Sequence, residues 1–154
     1  MKNKVIILVL VTVTALLFLG NQYLNTQTNT NLKTNDSIQN PITPADKIEV
    51  VHFHGTQQCA SCIAVGKYAL QTIKEKFPNE FASGKIAFKE INAELPENQE
   101  IVTKYQARGS SLFVNAIRNN QDDIVENTMV WQLVNSESQY TTYFQGQLNT
   151  LLGK

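Results

Sequence analysis

Two cysteines, Cys59 and Cys62, and two histidines, His52 and His54, are the residues of this 154-residue chain whose types and spacing could carry chemistry, and no other Cys or His is present. Thiols three positions apart at the start of a helix lie on one face, one turn from each other. The free N–H groups and the positive dipole end of a helix N-terminus stabilise an anion. Cys59 is therefore expected to ionise readily, and the thiolate is the attacking species in disulfide exchange. That makes Cys59 the candidate nucleophile and Cys62 the candidate resolving thiol. Two cysteines cannot build a disulfide scaffold, and an all-cysteine zinc site needs four. Other readings of the same residues stay open. The pair could be inert small hydrophobes. Alternatively His52, His54, Cys59 and Cys62 could supply two imidazoles and two thiolates to zinc or copper, making a non-catalytic metal-binding module. Side chains two apart on a strand share a side, so His54 could polarise the Cys59 thiolate while His52 relays a proton. Both could equally be structural histidines.

The elements that must position these residues follow from periodicity. KIEVVHFH (Lys47–His54) reads as a strand stopped by Gly55, being rich in Val, Ile and Phe. Cys59–Phe77 reads as a helix with Ile63, Gly66, Leu70, Ile73 and Phe77 on its buried face, ended by Pro78. Lys85–Ala93 is a second strand. Pro96–Gln106 is a helix burying Ile101, Val102 and Tyr105. Ser111–Arg118 and Ile124–Val134 are read as a strand hairpin around the polar turn NNQDD, with Trp131 in the core. Gln139–Leu152 closes the chain as an amphipathic helix, with Tyr140, Tyr143 or Phe144, Leu148 and Leu151 or Leu152 inward. Lys104, Arg108 and Glu94 are expected on the solvated surface. The order is β-α-β-α-β-β-α, an α/β domain.

A Cys-x-x-Cys between a strand and a helix in such an order is a strong redox signal. Residues 46–154 resemble the thioredoxin-like superfamily, and the likeness extends past C59-A-S-C62. KIAFKEINAEL (Lys85–Leu95) is similar to the superfamily's second strand. KYQARGSSL (Lys104–Leu112) is similar to the loop entering its third strand. The resemblance implies a four-stranded mixed sheet flanked by helices, a thiol–disulfide oxidoreductase, and protein thiols or disulfides, or a redox partner protein, as what it meets. The superfamily places a cis-proline opposite the cysteines, where this chain has Ser111 after Ser110. These two serines are the candidate substrate-binding residues. A cis peptide before a non-proline costs about 2.5–4 kcal/mol, so a trans bond is expected there. Gln58 stands where the superfamily usually has tryptophan. FHGT two residues before Cys59 is also similar to a family of anchored thioredoxin-like proteins described as nitrophenyl-compound nitroreductase subunits. That likeness leaves an accessory subunit of a membrane-associated redox complex as a further alternative.

The remaining sequence sets location. Lys2 and Lys4 precede the uncharged run Val5–Gly20, extended by Tyr23 and Leu24. A span needs roughly 20 apolar residues, which this run reaches if Asn21 and Gln22 lie at the headgroups and Tyr23 anchors the interface. Residues 1–24 are read as an N-terminal transmembrane signal-anchor with the lysines cytoplasmic. A cleaved signal peptide is the alternative, and Phe18 at −3 of a cut after Gly20 disfavours it. The stretch Asn21–Ala45, rich in Asn, Gln and Thr, cannot bury enough surface to order itself. Residues 25–45 are read as a polar tether holding an extracytoplasmic domain off the membrane. Thirteen basic and thirteen acidic residues balance, so no bulk field favours nucleic acid. No P-loop or G-x-G-x-x-G is present, and no cofactor is expected.

Overall fold

The computed structural model describes residues 43–154. The membrane helix expected over 1–24 and nearly all of the tether lie outside the described residues. Among the described residues no helix is long and apolar enough to cross a membrane.

The chain enters through Ala45, whose N–H donates to the Leu151 carbonyl at 2.8 Å. Strand β1 (Lys47–His54) follows and is buried along nearly its whole length. Val, Ile and Phe point to both faces, as a strand covered on both sides requires, with Glu49 and His52 the buried polar residues among them. Helix α1 is Ala60–Lys76, short helix α2 is Pro78–Ala82, and strand β2 is Ile86–Asn92. A 3-10 turn, Pro96–Asn98, leads into α3 (Gln99–Tyr105). Strands β3 (Ser111–Ile117) and β4 (Ile124–Glu126) precede α4 (Val130–Leu133) and α5 (Glu137–Leu152). The four-stranded sheet runs β2-β1-β3-β4, with β1 and β2 parallel and the other pairs antiparallel.

Helices cover both sides. Even-numbered residues of β1 face α1 and α5, where Ile48, Val50, Leu112, Val114, Ile73, Tyr140, Phe144 and Leu148 form the larger core. Odd-numbered residues face α3, where Val51, Phe53, Phe113 and Tyr105 form the smaller one. Tyr105 and Phe113 stand edge-on at 5.7 Å, as does Phe53 against Phe113, the geometry that aligns ring edges with ring faces.

Several expectations are corrected. The run Ile124–Val134 is not one strand: pairing stops at Glu126, and Val130–Leu133 turns helical. Val130 and Val134 lie four apart and both enter the core, so a helical spacing was hidden in residues that also alternate. Asn127 makes the break. It is buried, its Nδ2 donates to Gln147 Oε1 at 2.7 Å, and its Oδ1 accepts from the Tyr143 hydroxyl at 3.0 Å. Trp131 is only partly buried at the edge of the core. The inward face of α1 is Val65, Gly66, Ala69, Thr72 and Ile73, whereas Ile63 is 53% exposed. Pro78 ends α1 and also starts α2, because proline costs nothing at the first position of a helix.

Two polar contacts sit inside this packing. On the α3 side Glu49, only 8% exposed, receives Lys47 Nζ at 2.9 Å, Lys89 Nζ at 3.2 Å and the Tyr105 hydroxyl at 3.3 Å. Burial alone raises its pKa, but the two lysines outweigh this and hold the carboxyl below its usual range. Burial pushes the Tyr105 hydroxyl up to about 12. On the opposite side His52 is fully buried under α1. A β-carbon added at Gly66 would fall 2.7 Å from His52 Cε1 and 2.9 Å from Cγ, nearer still to Nδ1. Only glycine lets the helix backbone rest on the ring.

Glu49→Gln is expected to cost about 1–3 kcal/mol at neutral pH, since two lysine hydrogen bonds lose their charge partner. A carboxyl with a lowered folded pKa contributes its stability above the ordinary carboxylate range and loses it as pH falls through the folded value. Urea titrations should therefore show the gap between wild type and variant closing in acid. Gly66→Ala, which would help an open helix, is expected here to destabilise by about 1–3 kcal/mol through overpacking. Combining it with His52→Ala should give less than the sum of the two single losses. Additive losses would show that the ring and helix do not meet.

Candidate functional site

Strand β1 ends at His54, and residues 55–58 carry the chain to Cys59, which caps α1. Cys59 has extended backbone angles, and its Sγ accepts the Cys62 N–H at 3.2 Å. A sulfur thus does what a Ser or Asp oxygen does at other helix starts. Cys59 and Cys62 are joined by a disulfide, with their Cα atoms 5.1 Å apart. Cys59 is exposed and Cys62 half-buried, one turn deeper, as the spacing predicts.

The loop ahead of the disulfide is held from the β2 end. The Thr56 N–H donates to Glu94 Oε2 at 3.0 Å, and Asn92 Nδ2 donates to Thr56 Oγ1 at 3.1 Å. Asn92 Oδ1 in turn accepts the Glu94 N–H at 3.0 Å. The Thr56 bonds hold the Glu94 carboxyl below its usual range. Glu94 is exposed, as expected from the sequence, and through Thr56 it also holds the loop that leads to Cys59. A β-carbon at Gly55 would lie 2.8 Å from its Oε1, so a larger residue there would push the Glu94 side chain aside.

The two histidines share a face, with ring centroids 5.8 Å apart, but their surroundings differ. His54 is half-buried at the strand end, and its Nδ1 donates to the Gly55 carbonyl at 2.8 Å. His52 is sealed between β1 and α1, and neither ring nitrogen has a hydrogen bond. Its nearest carboxylate is Glu90, the parallel neighbour in β2, whose Oε1 lies 3.5 Å from Nδ1. Burial pushes the His52 pKa below the usual histidine range, outweighing Glu90, which raises it. Gln58 Oε1, next to Cys59, is also buried and unpartnered.

Ser111 opens β3 opposite Phe53, at the same end of the sheet as the disulfide. Its peptide bond is trans, since no cis peptide occurs among the described residues. Its side chain is buried and donates to the Gly109 carbonyl at 3.0 Å. The Ser111 hydroxyl is therefore spent inside its own loop, leaving the half-buried Ser110 and the strand-end backbone facing outward. Lys104 pairs with Asp122 at 2.8 Å.

The four residues weighed as metal ligands do not converge. Among the described residues no three His, Cys, Asp or Glu side chains are grouped to hold an ion. His52 is sealed and His54 is tied to its own turn. Sequence reasoning missed three participants: Glu90, Glu94, and Gly66 as the seat of His52. The parallel register that puts Glu90 beside His52 has no trace in either segment alone.

No protein-family model matches the chain, and no curated protein matches it. Solved structures do. Zinc-bound human ERp44 is 19% identical, with a TM-score of 0.44, covering 74% of this chain and 30% of ERp44. This chain thus spans less than a third of ERp44's length. A Thermus thermophilus thioredoxin is 13% identical, with a TM-score of 0.44, covering 68% of this chain and 76% of that one. Oxidised thioredoxin O2 from Arabidopsis thaliana is 12% identical, with a TM-score of 0.41, covering 61% and 75%. What carries the fold assignment is topology: the β2-β1-β3-β4 order, its single parallel pair, and a Cys-x-x-Cys disulfide capping the helix after the first of the four strands. On that architecture residues 43–154 have a thioredoxin-like fold.

Proposed function

We propose that the chain is a membrane-anchored thiol–disulfide oxidoreductase that works through Cys59 and Cys62 on exported proteins at the extracytoplasmic face. The observation that carries the chemistry is the Cys59–Cys62 disulfide at the first turn of α1, with Cys59 exposed and Cys62 behind it. In the reducing direction, Cys59 thiolate attacks a substrate disulfide, and one substrate sulfur leaves as a thiolate. Cys62 then attacks Cys59 in the mixed disulfide, releasing the second substrate sulfur. Two electrons pass from the pair to the substrate, and the oxidising direction runs the same steps backward. The helix N-terminus stabilises Cys59 as thiolate in both directions. Ile63, exposed beside Cys62, and Leu95, 39% exposed after β2, offer apolar surface to an unfolded substrate segment. The backbone near Ser110 supplies polar contacts. The location rests on the sequence, with residues 1–24 as anchor and 25–45 as tether.

Cys59→Ser is expected to abolish disulfide exchange with a dithiol or disulfide peptide. Cys62→Ser should accumulate a mixed disulfide at Cys59, visible by non-reducing electrophoresis and mass spectrometry. Unchanged exchange in both variants would refute the reading. In intact cells, a membrane-impermeant maleimide should label reduced Cys59 without permeabilisation. Labelling only after permeabilisation would place the domain on the other side.

A further inference from the structure

We propose that strand β4 is an interface at which a second copy of this chain extends the sheet, a property separate from the thiol chemistry proposed above. β4 is the outer strand of the β2-β1-β3-β4 order, so no strand pairs with its far side among the described residues. Hydrogen-bond parity shows which backbone groups are left over. The Asn127 N–H donates to the Leu112 carbonyl at 2.7 Å, and the Ala116 N–H donates to the Asp123 carbonyl at 3.0 Å. Since Val125 lies opposite Val114, residues 123, 125 and 127 turn their backbone groups inward to β3. Ile124 and Glu126 turn theirs outward. An edge with open N–H and C=O groups is a template for another strand, and charged side chains are a common guard against it. Here the guard is largely neutralised. Asp122 is paired with Lys104 at 2.8 Å, and Asp123 with Arg118 at 3.0 Å. Between those aspartates and Glu126, Val125 stands 53% exposed, and Met129 just beyond is 41% exposed. The other exposed large hydrophobics among the described residues, Ile63 and Leu95, sit at the disulfide end.

A second copy fits because the edge is complementary to itself. A twofold axis through Val125, normal to the sheet, sets Ile124 of each copy opposite Glu126 of the other. Both pairs exchange their main-chain hydrogen bonds, and such an isologous contact closes at two copies. Val125 then meets Val125 of the other copy at a non-hydrogen-bonded position, where side chains stand nearest. The two exposed valines cover one another. Charge agrees with this pairing. Glu126 has no ionic partner among the described residues. On the α3 side it lines an open groove of about 620 Å³ together with Lys104, Arg108 and Ile124. Across the twofold, Glu126 comes diagonal to Asp122 of the other copy, the carboxylate that holds Lys104. An ammonium has three donors, so Lys104 can serve both carboxylates, and the added strand walls the open side of the groove. The result is a sheet of eight strands, four from each copy. Because the two β4 strands run antiparallel, the disulfides lie toward opposite ends of that sheet, and neither belongs to the contact.

The test uses the full-length chain in detergent. In a background carrying Cys59→Ser and Cys62→Ser, Val125→Cys should cross-link to a dimer under mild oxidation. Facing Cα atoms at a non-hydrogen-bonded pair lie about 4.5 Å apart, a span that a disulfide bridges. Thr128→Cys, also exposed, should stay largely uncross-linked in the same background, because residue 128 faces residue 122 of the other copy. Light scattering, with the detergent mass subtracted, should give two copies for the unaltered chain. It should give one copy for Val125→Lys, which sets like charges on the axis. Val125 is exposed and takes no part in exchange, so Val125→Lys should keep the thermal melt of the unaltered chain and its rate with a disulfide peptide. A single copy in the unaltered chain, a dimer that survives Val125→Lys, or cross-linking no better at Val125 than at Thr128 would overturn the proposal. Neither the cross-linking nor the mass depends on Cys59 or Cys62, so the exchange reading stands or falls separately.

Discussion

The contact on which the rest of the site depends is the one between the His52 ring and the Gly66 backbone. Helix α1 starts at the disulfide and rests on the sheet through a stripe of mostly small residues, Gly66, Ala69 and Thr72, flanked by Val65 and Ile73. Small residues at a helix–sheet contact bring the two backbones close. At Gly66 the approach is so close that a single methyl group would collide with the ring. The height and tilt of the first turn of α1 are set there, one turn beyond Cys62. The cap at Cys59 and the spacing of the two sulfurs follow from where that turn is held.

The two faces of the sheet solve different problems. The side under α1 and α5 is almost wholly apolar, with His52 its polar exception near the disulfide. The side under α3 carries a polar network at the end away from the cysteines. Glu49 is bracketed by two lysines and Tyr105, and buried Asn115 donates to Asp122 at 2.7 Å and accepts from the Asp123 N–H at 3.0 Å. Every carboxylate or amide in that network has a partner, so it fixes strand register without leaving a group free to react. At the other end, Asn92, Thr56 and Glu94 lock the loop before Cys59 by short hydrogen bonds between neighbouring chain segments. The disulfide is thus mounted between a rigid loop and a seated helix.

Much of this was legible in the residues. The strand character of β1, the cap role of Cys59, the greater depth of Cys62 and, on the inward face of α5, Tyr140 and Leu148 each depend on local spacing, which survives folding; spacing left Phe144 against Tyr143 and Leu152 against Leu151 open, and packing chose Phe144 and Leu152. The errors arose where two periods fit the same letters or where a long-range partner decided the outcome. In α1 the larger apolar residues Ile63 and Leu70 drew the buried face toward themselves, yet the sheet selected the smaller residues because it needed close approach. In 124–134 alternation and helical spacing coincide, and buried Asn127 with its bonds to Gln147 and Tyr143 ended the strand. Glu94 reads as an ordinary surface acid, and nothing in the sequence singles out Glu90. Their roles come from strand register and from a loop 38 residues earlier in the chain.

The site divides exposure from burial in a way that suits stepwise exchange. A nucleophile must meet its substrate, and Cys59 is exposed at a helix end, where dipole and free amides favour a thiolate. A resolving thiol must wait until the mixed disulfide forms, and Cys62 is shielded by one turn of helix. The shielded position lacks the dipole's full effect, because that effect fades within the first turn. Ser111, with its hydroxyl turned back to Gly109, adds no competing donor at the surface. That leaves half-buried Ser110, the backbone at that end of the sheet, and exposed Ile63 and Leu95.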